Sequence, residues 1–178
     1  MSDPMLEKNA ARLVDVRILA AFDVLGPTIQ FLSADEGKND PSVMRGIIAP
    51  GVVVPLHSHP EPEIFIAISG RIEGLKESDG KFGWVSIGPG DVFQVPGWAK
   101  HAFRNQSSEP ANFVIAAPAS IGRFFREVIT PVAPGAQRLG PPSQKAIQHF
   151  MATAERFGYC NATPEENAEV GIFLSPPA

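Results

Sequence analysis

Between Thr28 and Pro118 the chain alternates short apolar runs with Gly, Pro and Asp: TIQFL, VMRGIIA, VVVPLH, EIFIAIS, RIEGLKE, KFGWVSI, DVFQVP, HAFRN and NFVIAAP. Nine such runs predict nine short strands in an all-β antiparallel sandwich or barrel. Several of them, EIFIAIS included, are apolar on both faces. One face is therefore expected to pack in the lumen and the other against a second sheet or a second subunit. After Pro118 the apolar period lengthens to about 3.6. Ser120 is placed to cap a helix in which Ile121, Phe124, Phe125, Val128 and Ile129 share one face, and Pro131 is placed to stop it. A linker, PVAPGAQRLGPP, leads to a second helix capped by Ser143, with Ile147, Phe150, Met151, Ala154 and Phe157 on one side and Gly158 at its end. Thr163-Pro164-Glu165-Glu166 carries the signals of a short third helix before the SPPA tail. The first 27 residues show no clean period beyond a short helix expected from Asp3-Pro4 to Leu13. The organisation read from this pattern is an N-terminal arm over 1–27, a β-barrel over 28–118 and a C-terminal helical extension over 119–178.

Length and composition narrow the class. At 178 residues, 44% apolar and 19% charged, the chain is one globular domain with an appendix. Its 16 Gly and 18 Pro match a fold that turns often. With 15 basic against 19 acidic residues the net charge is −4, which speaks against a sequence-blind phosphate binder, so no nucleic-acid partner is expected. Cys160 is the single cysteine, which rules out an intrachain disulfide and fits a reducing compartment. No stretch approaches the roughly 18 apolar residues of a membrane span, and no basic segment followed by an apolar one opens the chain. A cytoplasmic protein without a membrane partner is expected.

Candidate chemistry sits on two of the strands. His57 and His59 are two residues apart, so on an extended backbone both imidazoles leave the same face, and Glu63 keeps that parity four residues on. Pro60 and Pro62 remove two backbone donors between them, so an interruption of the strand is expected there. His101 follows His59 by 42 residues, after the Pro96-Gly97 turn. If its strand lies beside the first, a third imidazole completes a site for a borderline divalent metal.

These residues fall into two longer patterns. Gly51, His57, His59, Glu63 and Gly70 form G-x5-H-x-H-x3-E-x6-G, and Gly90, Pro96, His101 and Asn105 form G-x5-P-x4-H-x3-N. In this the chain resembles the cupin superfamily, whose two signature motifs carry these residue types at these spacings. Trp98 departs from the pattern: it stands where the second motif usually has a glycine, and Gly97 is read as supplying the turn instead. The match spans 51–105, about a third of the chain. The resemblance implies a cupin double-stranded β-helix, or jelly-roll barrel, with His57, His59, Glu63 and His101 as metal ligands inside it.

Four protein ligands on a metal that favours six leave two positions for substrate or dioxygen. Fe, Mn, Ni or Co suits that geometry, whereas Zn tends to stop at four. Parity places Phe65 and Ala67 with Glu63, and Phe103 and Asn105 with His101, predicting an apolar, aromatic substrate pocket with Trp98 at its mouth. The resemblance and the aromatic lining together suggest a metal-dependent dioxygenase acting on a small aromatic, flavonol-like or β-diketone substrate, with Glu63 moving between ligand and general base. The alternatives are a non-redox metalloenzyme, isomerase or decarboxylase, and a non-enzymatic cupin that binds metal and a small ligand. The two-faced strands and the Phe-rich helix suggest a homodimer.

Overall fold

The computed structural model describes residues 11–33, 40–132 and 142–174. Its strands are β1 (Ala21–Asp23), β2 (Thr28–Phe31), β3 (Ser42–Ile48), β4 (Val53–Ser58), β5 (Glu63–Ser69), β6 (Ile72–Ser78), β7 (Lys81–Ile87), β8 (Val92–Val95), β9 (His101–Arg104), β10 (Ala111–Ala117), β11 (Thr130–Val132) and β12 (Cys160–Asn161). Its helices are α1 (Ala119–Val128), α2 (Gln144–Arg156) and α3 (Pro164–Glu169). Each of the nine apolar runs forms one strand, β2 to β10. They pair antiparallel in two sheets, ordered β11-β1-β2-β3-β10-β5-β8 and β12-β4-β9-β6-β7. The result is a jelly-roll barrel with a small helical C-terminal part.

Strand alternation builds the core. On β5, Glu63, Phe65 and Ala67 are buried toward the lumen, while Ile64, Ile66 and Ile68 point outward at 38%, 37% and 56% exposure. Met44, Ile72, Phe103, Phe113 and Ile115 join Phe65 and Ala67 in the main apolar cluster. A second cluster forms on the outside of the five-stranded sheet, where Leu56, Leu75 and Ala102 are covered by Val170 and Ile172 from the end of the chain. The buried Asn167 of α3 fastens that cover, its Oδ1 accepting from Leu56 N at 2.9 Å. A third cluster, Phe124, Val128 and Ala154, holds α1 to α2.

Three short strands were not legible as elements. β1 pairs with β2 and β11, and β12 pairs with β4, so strands from both flanks are built into the sheets beyond the 28 and 118 boundaries. β1 lies in a stretch without period, and β11 contains Pro131, which is tolerated because the strand is outermost in its sheet. The cap expected at Ser120 is not formed. Pro118, fixed in an extended conformation, takes the N-cap position and its carbonyl accepts from Ile121 N at 3.1 Å, so Ser120 falls inside the first turn of α1. Ser143 does cap α2, accepting from Ala146 N, and Thr163 and Glu166 form a capping box on α3. Most of the expected 3–13 helix, most of the Pro/Gly linker and all of the SPPA tail lie outside the described residues; Arg12 and Leu13 belong to no regular element. Among the described residues, no helix is long and apolar enough to cross a membrane.

Candidate metal centre

β4 and β9 lie side by side, with His57 opposite His101. The register shifts between Val54 and His57, so Pro55 and Leu56 together oppose Ala102 alone. That bulge reverses the parity of the strand. Val54 packs in the lumen and Leu56 outside, and the extra residue turns His57 back inward to face His101. Proline fits the bulge because no ladder donor is required of it. The strand ends at Ser58, and the turn over 59–62 carries His59 and brings Glu63 in at the start of β5.

The three imidazoles converge, with ligating nitrogens all within 4.8 Å of one another. Ring centroids are 4.1 Å apart for His57 and His101, 5.7 Å for His57 and His59, and 5.2 Å for His59 and His101. Each ring is pinned through Nδ1 to a nearby backbone carbonyl: His57 to Pro55 at 2.7 Å, His59 to Glu61 at 2.9 Å and His101 to Ala99 at 2.9 Å. A carbonyl can only accept, so each Nδ1 carries a proton and Nε2 is the nitrogen left to an ion; on His59, Nε2 faces the Glu63 carboxylate, which also only accepts, and donates to it until a metal displaces that proton. Glu63 Oε2 lies 3.2 Å from His59 Nε2 and 3.7 Å from His101 Nε2.

Electrostatics prepare the same groups. Burial pushes the Glu63 carboxyl up, but the His101 and His59 imidazoles beside it outweigh that and hold the pKa at about 2. Burial, reinforced by His101, lowers His57 to about 3. Burial also works against charge on His59, yet the hydrogen bond to Glu63 raises its pKa above the ordinary imidazole value. His57 and Glu63 are thus already neutral imidazole and carboxylate at neutral pH, the forms a metal needs.

The residues fit a divalent transition metal. An ion with bonds of about 2.1 Å spaces its ligands by about 3 to 4.2 Å, near the separations found here. His101 Nε2 is buried without a hydrogen-bond partner among the described residues, a cost that an ion at this point would remove. Three imidazoles and one carboxylate form a borderline donor set suited to Fe, Mn, Ni, Co or Zn.

The other expected site residues divide. Phe65, Ala67 and Phe103 are buried in the main cluster beneath the histidines, the Phe103 ring 5.9 Å from His101 and 4.6 Å from Phe65. Asn105 is buried and fully engaged: it donates to the carbonyls of Ile48 and Glu109 and accepts from Ser107 N, so it fixes a turn. Trp98 is 58% exposed beside the centre, and its N donates to His59 O at 2.6 Å. The left-handed turn falls on Trp98 itself, at φ 66°, and not on Gly97. Gly97 answers a different need, since a Cβ there would stand 2.2 Å from Pro60 O. Two residues beside the centre escaped sequence reasoning. Tyr159 stacks near His59 at 5.2 Å, and the Glu61 carboxylate lies on the connecting turn. The only signal for Tyr159 was its position just past the Gly158 stop of α2.

Residues 44–116 match the sequence profile of the Cupin_2 family, described as a cupin domain. A germin-like protein from Morus alba is 31% identical over 110 residues, 61% of this chain and 49% of that protein, so the match spans about half the length of this relative. Among solved structures, an oxalate oxidase superposes with a TM-score of 0.50 at 25% identity, covering 65% of this chain and 64% of the other. A predicted oxalate decarboxylase from Thermotoga maritima superposes with a TM-score of 0.50 at 23% identity, covering 60% and 98%. With the paired sheets, the converging histidines and this match in agreement, residues 44–116 form a cupin domain.

Proposed function

We propose that this chain is a metal-dependent dioxygenase acting on a small substrate with an enolic or phenolic oxygen, such as a β-diketone or a flavonol-like aromatic. The observation that carries the reading is the buried, unpartnered Nε2 of His101, set beside an ionised Glu63 and two further imidazoles. His57, His59 and His101 would hold the metal through Nε2, with Glu63 as fourth donor. When bound, the metal supplies Lewis acidity and one-electron chemistry at this point. Glu63 contributes a base: its carboxylate can take the enol or phenol proton of an incoming substrate and hold it at Oε2, the oxygen that already faces His59. Phe65 and Phe103 beneath the cluster keep water from its inner side. The likeness to an oxalate oxidase supports oxidative chemistry in preference to simple ligand storage.

The test is oxygen uptake by metal-loaded protein offered flavonols and β-diketones. Uptake coupled to substrate loss, reduced about 100-fold or more in Glu63→Gln, is the expected result. Turnover without oxygen would replace this reading with an isomerase or decarboxylase. Ligand binding with no turnover would leave a non-enzymatic metal-binding cupin.

We also propose that a second copy of the chain covers the outer face of β5 and β8. Ile64, Ile66, Ile68 and Val92 form an uncharged exposed patch there, continued by Val114 and Ala116 on β10. A patch without charge is self-complementary across a two-fold axis, and leaving it wet would be unusual for a monomer.

A further inference from the structure

The C-terminal segment brings to the metal centre one side chain that the reading above does not use. Tyr159, the single tyrosine of the chain, lies between α2 and β12. Its ring is explained by packing: it lies 5.2 Å from the His59 ring and 4.6 Å from that of Phe124. Its hydroxyl is not explained. The oxygen is buried and has no hydrogen-bond partner among the described residues, and the same is true of Glu61 Oε2. The Glu61 carboxylate is close enough to act on the phenol both as a charge and as a hydrogen-bond acceptor, yet the pair falls short of full hydrogen-bond geometry, so both oxygens stay short of a partner. A phenylalanine would fill the space equally well without the cost of an unsatisfied buried hydroxyl. The position is also firmly set. Tyr159 N donates to Ala154 O at 2.9 Å, and the next residue, Cys160, pairs with Ser58 on the strand that carries His57.

We propose that Tyr159 is a ligand-contacting residue of the metal site, its O–H donating a hydrogen bond to a small anion seated on the His57, His59, Glu63 and His101 cluster. The ligand class is an anion with an oxygen or nitrogen acceptor beside the atom that the metal takes. The proposal rests on the metal-site reading given above and is independent of which substrate is turned over. A donor fixed at this point discriminates among ligands: it favours those that keep an acceptor facing the phenol and leaves the hydroxyl unpaired with those that do not.

The experiment uses the full chain loaded with Co(II) and azide as the anionic probe, followed by the visible spectrum of the metal, in wild type and Tyr159→Phe. Co(II) should bind both within about twofold, while azide binds the variant about ten- to hundredfold more weakly, as expected for a lost hydrogen bond to a charged acceptor. The melting temperature of the metal-free variant should be unchanged or higher. With ring-labelled tyrosine, the single tyrosine resonance should move on azide saturation of Zn(II)-loaded wild type. Equal azide affinity in the two proteins, or a resonance that stays still, would overturn the role of Tyr159 and leave the metal site standing. A lower melting temperature with unchanged azide affinity would likewise overturn it, making the hydroxyl a tether to Glu61. Failure of wild type to bind Co(II) or Zn(II) at all would overturn the metal reading and this proposal together.

Discussion

His57 and His101 face one another across β4 and β9 with ring centroids 4.1 Å apart, and they do so because the strand before His57 holds one residue too many for its partner. Two neighbouring imidazoles that both point Nε2 inward repel when charged and gain only when an ion joins them. Protein purified without added metal or chelator is therefore expected to carry about one equivalent of a divalent transition metal by elemental analysis. His57→Ala and His101→Ala should each retain less than about a tenth of it, with an unchanged far-ultraviolet circular dichroism spectrum. Stoichiometric metal in both variants would place the ion elsewhere.

Proton competition at the site has a definite sign. Glu63 and His57 are already deprotonated above pH 4, so they contribute little to pH dependence near neutrality. His59, with its pKa raised, must lose a proton for the metal to bind. Its protonated form stabilises the metal-free fold below pH 6.5, and that contribution is lost as pH rises through the raised pKa. Metal affinity should therefore increase with pH as His59 gives up its proton, and then level off. Chelator competition at several pH values measures this; affinity that falls with pH would contradict it.

The Gly97-Trp98 turn separates two kinds of backbone demand. Trp98 holds φ 66°, a conformation that costs a side chain about 1 kcal/mol and glycine almost nothing. Gly97 lies where a Cβ would meet Pro60 O at 2.2 Å. Trp98→Gly should raise the melting temperature by about 2–4 °C, and Gly97→Ala should lower it by a similar amount or more, from about 1–3 kcal/mol of crowding. Calorimetry on the pair checks this, and the reverse order would mean that the turn is built differently.

Light scattering tests the outer face of β5. Wild type should scatter as twice the mass of one chain, and Ile66→Asp, which buries a charge in the proposed interface, should scatter as a single chain with its circular dichroism preserved. A monomeric wild type would leave Ile64, Ile66 and Ile68 as an exposed patch of another purpose.

The sequence carried the site wherever the information was local. Period-two runs located nine strands, and the spacing of His57, His59 and Glu63 placed three donors together, because alternation and turn chemistry are written within a few residues of each other. What escaped depended on partners far along the chain. The parity change before His57 exists only against β9, so it was invisible in β4 alone, although Pro55 marks the place. β1, β11 and β12 are two or three residues long and gain their identity from the strand beside them. Tyr159 lies 100 residues beyond His59, and nothing in its own neighbourhood points to a metal. The reading of Gly97 as the left-handed residue failed because a required small side chain and a required positive φ look alike in a sequence.

β12 has a consequence for how the folded protein meets other chains. Without Cys160 and Asn161 alongside it, β4 would end its sheet as an open edge, offering bare backbone groups beside His57 to any extended peptide. Two residues are too few to invite further strand addition, and Pro55 already removes one donor from that margin. The C-terminal extension thus acts as a guard rail: β4, the strand that carries His57, is kept from being an open edge by a short strand of the same chain.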